Sequence, residues 1–128
     1  QIFDKGQLNY QELLCICDLL ISDATSPTEE SLYYDTPQLF TETYDRNDWR
    51  KEFEEHDMHE EDIKNLLSMF GLGISYKTST SKNWAECIEQ AFATKNDYSQ
   101  ARQAYYNYAF GEVKGNAAEK AVAIMERL

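Results

Sequence analysis

The stretch Asp57-Met58-His59-Glu60-Glu61-Asp62-Ile63-Lys64-Asn65-Leu66-Leu67-Ser68-Met69-Phe70-Gly71 decides the fold class. Ile63, Leu66, Leu67 and Phe70 recur at i, i+3, i+4 and i+7, the spacing of one helix face. Asp57 with Glu60 three residues later has the pattern of a capping box, and Gly71 is the expected stop. Together they predict a helix over about 58–70.

Reading outward gives more of the same period. Toward the C-terminus, residues 71–81 read as a loop. Ile74 and Tyr76 alternate with polar residues there, but no partner strand is visible. Trp84, Cys87, Ile88, Ala91 and Phe92 predict a helix over about 82–93. Asn96 or Asp97 caps the next, about 97–110, with Tyr98, Ala101, Tyr105, Tyr108 and Ala109 on one face. Tyr105 and Tyr108 are expected in the core, and Tyr106, on the other face, is a candidate contact residue. Asn116 caps a last, Ala-rich helix carrying Ala118, Ala121, Val122, Met125 and Leu128, expected to pack closely on its neighbours; the alternative is an exposed Met125–Leu128 edge serving self-association.

Toward the N-terminus, Trp49 and Phe53 lie four apart on a helix of about 48–55. Thr36-Pro37 and Ser26-Pro27 each place a cap before a proline at the first helical position, predicting short helices over about 37–44 and 27–34. Leu13, Ile16, Cys17, Leu20 and Ile21 follow the helical spacing, while Leu14, Cys15 and Leu19 make the opposite face apolar. A helix apolar all round is usually central, so residues 7–22 are expected to form a central helix.

The expected fold is all-α: a single compact irregular bundle over residues 1–128. It has about five main helices plus two or three short ones and no convincing β-sheet. At 128 residues, 42% hydrophobic and 27% charged, the chain has globular composition. No internal repeat is apparent.

Charge is the unusual feature. The net charge is −11. Residues 1–74 hold 17 acids and 5 bases, net −12, while residues 75–128 hold 6 acids and 7 bases, net +1. Residues 42–62 alone hold ten acids, Glu42 among them, against Arg46, Arg50 and Lys51. This balance disfavours direct contact with nucleic-acid phosphates and with anionic membrane surfaces. It favours a basic protein partner, whose encounter such a field would accelerate. The expected interface is Tyr44, Asp45, Asp48, Trp49, Glu52, Glu54, Glu55, Asp57, Glu60, Glu61 and Asp62. Trp49 or Tyr44 would serve as an aromatic anchor within a charged rim. The plainer reading is a solvated face, with Glu60, Glu61 and Asp62 favoured by the dipole of their helix.

Chemistry is sparse. His56 and His59, the two histidines, are three apart, but a helix start between them turns them different ways, and no Cys nearby completes a tetrahedral set. Residues 45–56 fail as a calcium loop: Trp49 holds position five, no Gly holds position six, and His56 stands at position twelve. Gly71-Leu72-Gly73 follows a helix and lacks a Lys, so it is no phosphate loop, and no nucleophile elbow occurs. No catalytic residue, metal or cofactor is expected, and the chain is not expected to be an enzyme. Cys15, Cys17 and Cys87 are expected as buried thiols in a reducing, cytoplasmic setting. The longest apolar run, Leu13–Ile21, is interrupted by Asp18 and falls short of a membrane span. With no basic segment before it, a signal peptide is not expected.

The leading functional expectation is a small acidic inhibitor that neutralises a basic partner by steric and electrostatic occlusion. An immunity protein or a phage-type inhibitor blocking a nuclease or toxin fits that description. The alternative is an acidic secretion chaperone or adaptor holding a partner segment in an apolar groove.

Overall fold

The computed structural model describes residues 9–42, 45–80, 82–111 and 115–127. Helices α1 (Tyr10–Ile16), α2 (Ser26–Ser31), α3 (Arg46–Glu55), α4 (Glu60–Leu67), α5 (Trp84–Ala93), α6 (Ser99–Phe110) and α7 (Ala117–Met125) dominate the described residues. Short 3₁₀ turns at Leu32–Tyr34 and Ser68–Gly71 extend α2 and α4. The expectation of a mostly helical protein therefore holds. The expectation that no sheet is present does not: β1 (Leu20–Ser22), β2 (Gln38–Phe40) and β3 (Ile74–Ser75) form a small parallel sheet in the order β1-β2-β3. Leu20, Ile21 and Ser22 pair with Gln38, Leu39 and Phe40, and Leu39 and Phe40 pair with Ile74 and Ser75.

Three expectations are corrected with it. The helix expected over 7–22 is α1 followed by β1. Asn9 and Glu12 cap α1 reciprocally, and Cys17 leaves the helix in extended conformation. An apolar run as short as Leu19–Ile21 suits a buried strand as well as a helix, and periodicity alone does not separate them. The helix expected over 37–44 is β2. A residue before proline is pushed toward extended backbone, and proline also opens strands; here the Pro37 carbonyl accepts from the Leu20 amide at 2.9 Å. The strand hinted at by Ile74 finds its partner in β2. Gly73 makes that pairing possible: a Cβ there would stand 2.2 Å from the Gln38 carbonyl oxygen.

The sheet divides the core. On one face Leu39 and Ile74 pack against Cys87 and Ala91 of α5. On the other, Phe40 packs with Leu32, Met69, Phe70, Leu72, Tyr105 and Tyr106. The expected Ile63 stripe buries Ile63 fully and Leu66 and Leu67 partly, and Phe70 belongs to the 3₁₀ turn.

Further expectations fail on the same packing. Of α1 only Leu14 is buried, while Tyr10, Leu13 and Ile16 are exposed, so α1 is peripheral. Tyr106 is buried and Tyr108 exposed, the reverse of the expected pair. The buried face of α6 runs through Arg102, Tyr105 and Tyr106, so a charged side chain, not an apolar one, shares the inner stripe. Cys87 alone is a buried thiol; Cys15 is exposed and Cys17 intermediate. They lie at the end of peripheral α1, where the Cys17 thiol is only partly covered and donates to the Leu19 carbonyl at 2.9 Å. Residues 7–8 of the first expected helix and Leu128 of the last lie outside the described residues.

Candidate functional site

The acidic residues of 42–62 fall into three groups. Glu42 is structural: its residue is 4% exposed and its backbone left-handed at φ 47°. One carboxylate oxygen accepts from Arg46 Nε and Nη2 at 2.6 Å, and the other accepts the Ser75 hydroxyl. Arg46 lies in turn over the Phe70 ring, 4.8 Å from its centroid.

The second group is paired at the surface. Asp45 caps α3 by accepting from the Asn47 amide at 2.8 Å and takes Lys77 Nζ at 2.9 Å. The Asn47 hydrogen bond, then Lys77, holds its carboxyl below the usual range. Arg50 donates to Glu54 at 2.9 Å and to Glu60 at 2.5 Å, tying α3 to α4. The Arg50 hydrogen bond holds Glu60 low and, reciprocally, raises Arg50. Lys51 stands 3.8 Å from Glu55.

The third group is Asp48, Glu52, Asp57, Glu61 and Asp62. All are exposed, and among the described residues none is in an ion pair. The hairpin thus displays five uncompensated carboxylates. Asp57 occupies the turn itself at φ 55°.

Trp49 is half-buried, its ring 5.8 Å from that of Phe53. The two rings line a small cavity of about 120 Å³ with Leu66, Leu67, Met69 and Phe70. Trp49 therefore packs the hairpin onto the core beneath the acids. Tyr44 lies outside the described residues. His56 ends α3, its Nδ1 2.8 Å from the Glu52 carbonyl, and His59 precedes α4. Both are exposed on separate helix ends. Among the described residues no three His, Cys, Asp or Glu side chains are grouped to hold a metal ion.

A second polar centre had no place in the sequence reading. At the amino ends of β1 and β2, a cleft of about 460 Å³ has Arg102 of α6 among its lining residues. The Arg102 guanidinium is 2% exposed. Its Nε donates to Asp35 at 2.6 Å, its Nη2 to the Lys95 carbonyl at 2.7 Å and its Nη1 to the Leu72 carbonyl at 3.4 Å. Asp35 is left-handed at φ 53° and also accepts the Ser99 hydroxyl at 2.7 Å. Partial burial opposes ionisation of Asp35, but the Arg102 and Ser99 hydrogen bonds and the Arg102 charge outweigh it and lower its pKa. Asp18, Tyr34, Phe92, Lys95 and Asn96 also line this cleft. One sequence signal was available: Arg102 interrupts the apolar stripe of its helix at the i+4 position from Tyr98.

The chain matches no protein-family model, no curated protein and no solved structure. Among the described residues no helix is long and apolar enough to cross a membrane.

Proposed function

We propose that this is a non-catalytic binding protein that docks the α3–α4 hairpin onto a basic protein partner. The observation that carries it is the group of five exposed carboxylates, Asp48, Glu52, Asp57, Glu61 and Asp62, in no ion pair among the described residues. Neighbouring acids on the same hairpin are compensated by Arg50, Lys51 and Lys77. An uncompensated field on a hairpin anchored through Trp49 and Phe53 orients and accelerates encounter with Lys- and Arg-rich surfaces. In its most specific form the protein is an inhibitor of immunity-protein or phage type. It would cover the basic substrate groove of a nuclease or toxin and act by occlusion in the cytoplasm, where free thiols persist.

The test combines capture with charge reversal. A tagged chain is exposed to source-cell lysate, washed at about 50 mM and about 500 mM salt, and its partners are read by mass spectrometry. At the higher salt screening is nearly complete within about 4 Å. The expected result is one basic partner, depleted at high salt and lost by Asp48→Lys/Glu52→Lys/Glu61→Lys/Asp62→Lys, a variant that keeps its helical circular dichroism. A variant that folds and captures the same partner equally well refutes the acidic interface.

One observation favours the chaperone or adaptor reading. Val122, Ile124 and Met125 of α7 are 48%, 61% and 63% exposed, and no described residue of α7 is buried. A partner retained equally at both salts and lost by Val122→Asp/Met125→Asp would select that reading.

A further inference from the structure

We propose that the cavity between α1, α2 and the end of α6 is a binding site for a small N-methylated ammonium cation, recognised by aromatic rings and one carboxylate. Its volume is about 280 Å³, and Gln11, Leu14, Glu30, Tyr34, Tyr106 and Phe110 line it. Half of this lining is aromatic. The rings belong to a connected series. Tyr34 meets Tyr33 edge-on at 5.0 Å, Tyr33 meets Tyr106 at 6.2 Å, and Tyr106 meets Phe110 at 5.2 Å with 39° between their planes. Tyr34 and Phe110 are thus the two ends of an aromatic run that returns to one cavity. Leu14 and Tyr106, both buried, give it an apolar floor, while Tyr34 and Phe110 are 41% and 39% exposed and leave it open to an entering ligand.

Glu30 fixes the sign of the ligand. Its side chain is exposed and in no ion pair among the described residues. Its charge reaches α1: burial first, and the Glu30 carboxylate second, raise the Tyr10 hydroxyl above its ordinary value. An aromatic face is the negative pole of the ring and attracts a cation within about 6 Å of the centroid. Three rings beside a carboxylate therefore make a lining of one sign, with no Lys or Arg among its residues to oppose it. A bare ammonium would leave strong hydrogen bonds to water for rings that accept none. Methyl groups spread the charge over apolar surface, so a methylated ammonium enters at lower desolvation cost and packs on Leu14 and the rings. An anion is repelled by Glu30. A phosphate joined to the cation is opposed by the field of residues 1–74, with 17 acids against 5 bases. This favours a free cation over a phosphocholine headgroup. None of the lining residues belongs to α3 or α4, so the site stands apart from the acidic hairpin.

The experiment is a ¹H–¹⁵N titration of the full chain with choline and with 3,3-dimethyl-1-butanol, its uncharged isostere. Phosphocholine is added as the headgroup counterpart. Choline is expected to give saturable shifts at Gln11, Glu30, Tyr34 and Phe110 and to bind about tenfold more tightly than the isostere. Phosphocholine is expected to bind more weakly than choline. Glu30→Gln and Tyr34→Leu, both at exposed positions, should each weaken choline several-fold while helical circular dichroism is unchanged. Absence of saturable shifts in the cavity at about 50 mM choline overturns the site. Equal binding of choline and the isostere overturns recognition of the cation. Phosphocholine binding as tightly as choline overturns the free cation as ligand. Shifts confined to α3 and α4 report counterion binding by the hairpin and overturn the placement while leaving the acidic-hairpin reading untouched.

Discussion

Two arginine–carboxylate contacts in this molecule look alike on paper and differ in consequence. Arg102 meets Asp35 at 2.6 Å with a guanidinium that is 2% exposed, while Arg50 meets Glu60 at 2.5 Å with side chains 39% and 70% exposed. In the first, the Arg102 side chain is shut off from water while Asp35, at 52%, is not, so it is the Arg102 nitrogens that have no solvent to replace a lost partner. In the second, water replaces either partner at little cost. Similar distances therefore carry different energies, and burial decides which contact the fold depends on.

The largest effect is expected from Arg102→Ala. Removing the side chain strips partners from Asp35 and from the Lys95 and Leu72 carbonyls at once. Asp35 is half-exposed and is rehydrated, so the loss rests on three hydrogen bonds from a charged group and on the packing of a buried side chain, together about 3 kcal/mol or more, measurable as a lowered urea midpoint. A cost below about 1 kcal/mol would erase the contrast with the surface pair. An intermediate case is Glu42→Gln: this pair too joins a buried group to a half-exposed one, but the substitution keeps the side chain's bulk and its capacity to accept a hydrogen bond. Weakening a hydrogen bond to a charged group costs about 1.5–3 kcal/mol, and the same denaturant series places this variant between the two extremes.

Acid sharpens the comparison further. Asp35 is held below its unfolded value of about 3.9, so the folded state binds this proton more weakly than the unfolded state does. The stabilisation is complete above the unfolded pKa and disappears as pH falls below about 4 through the lower folded pKa. Between pH 6 and pH 3, wild type should lose more stability than Asp35→Asn, which has no carboxyl to titrate at this position. Equal losses would remove Asp35 from the acid response. The smallest effect belongs to Arg50→Ala. Its two pairs are open to water, so the urea midpoint should scarcely move, and about 0.5 M salt should abolish much of any difference from wild type.

The same contrast between local and distant explains what the sequence discloses. The α4 stripe of Ile63, Leu66 and Leu67 and the Trp84–Phe92 helix are each written within a few residues, and they read correctly. The acidic hairpin is likewise local in its charges, but its helix starts are not where the sequence suggests: Asp45 caps α3, and α4 begins at Glu60 after His59, while Asp57, expected as the cap, sits left-handed in the turn. The strands are two or three residues long, too short for a period-2 pattern to declare itself. Their pairing depends on the approach of Gly73 to Gln38, which is a property of the tertiary arrangement. The Arg102–Asp35 contact spans 67 positions and the Ser75–Glu42 contact 33, so no window of sequence contains either. What remained hidden was the set of contacts whose partners lie far apart in the chain.

The β2–β3 ladder also constrains how the chain reaches this structure. Leu39 pairs with Ile74 while residues 40–73, including α3 and α4, lie between them. The entropy of closing that loop must be met before the ladder returns any hydrogen bonds. Refolding is therefore set by the closing of the sheet, not by the helices, whose contacts are mostly local. During synthesis, at about 5–20 residues per second, β1 and β2 emerge seconds before β3. For that interval the inner edge of β2 is an open template, and the nascent chain is most exposed to mispairing just before Gly73 arrives.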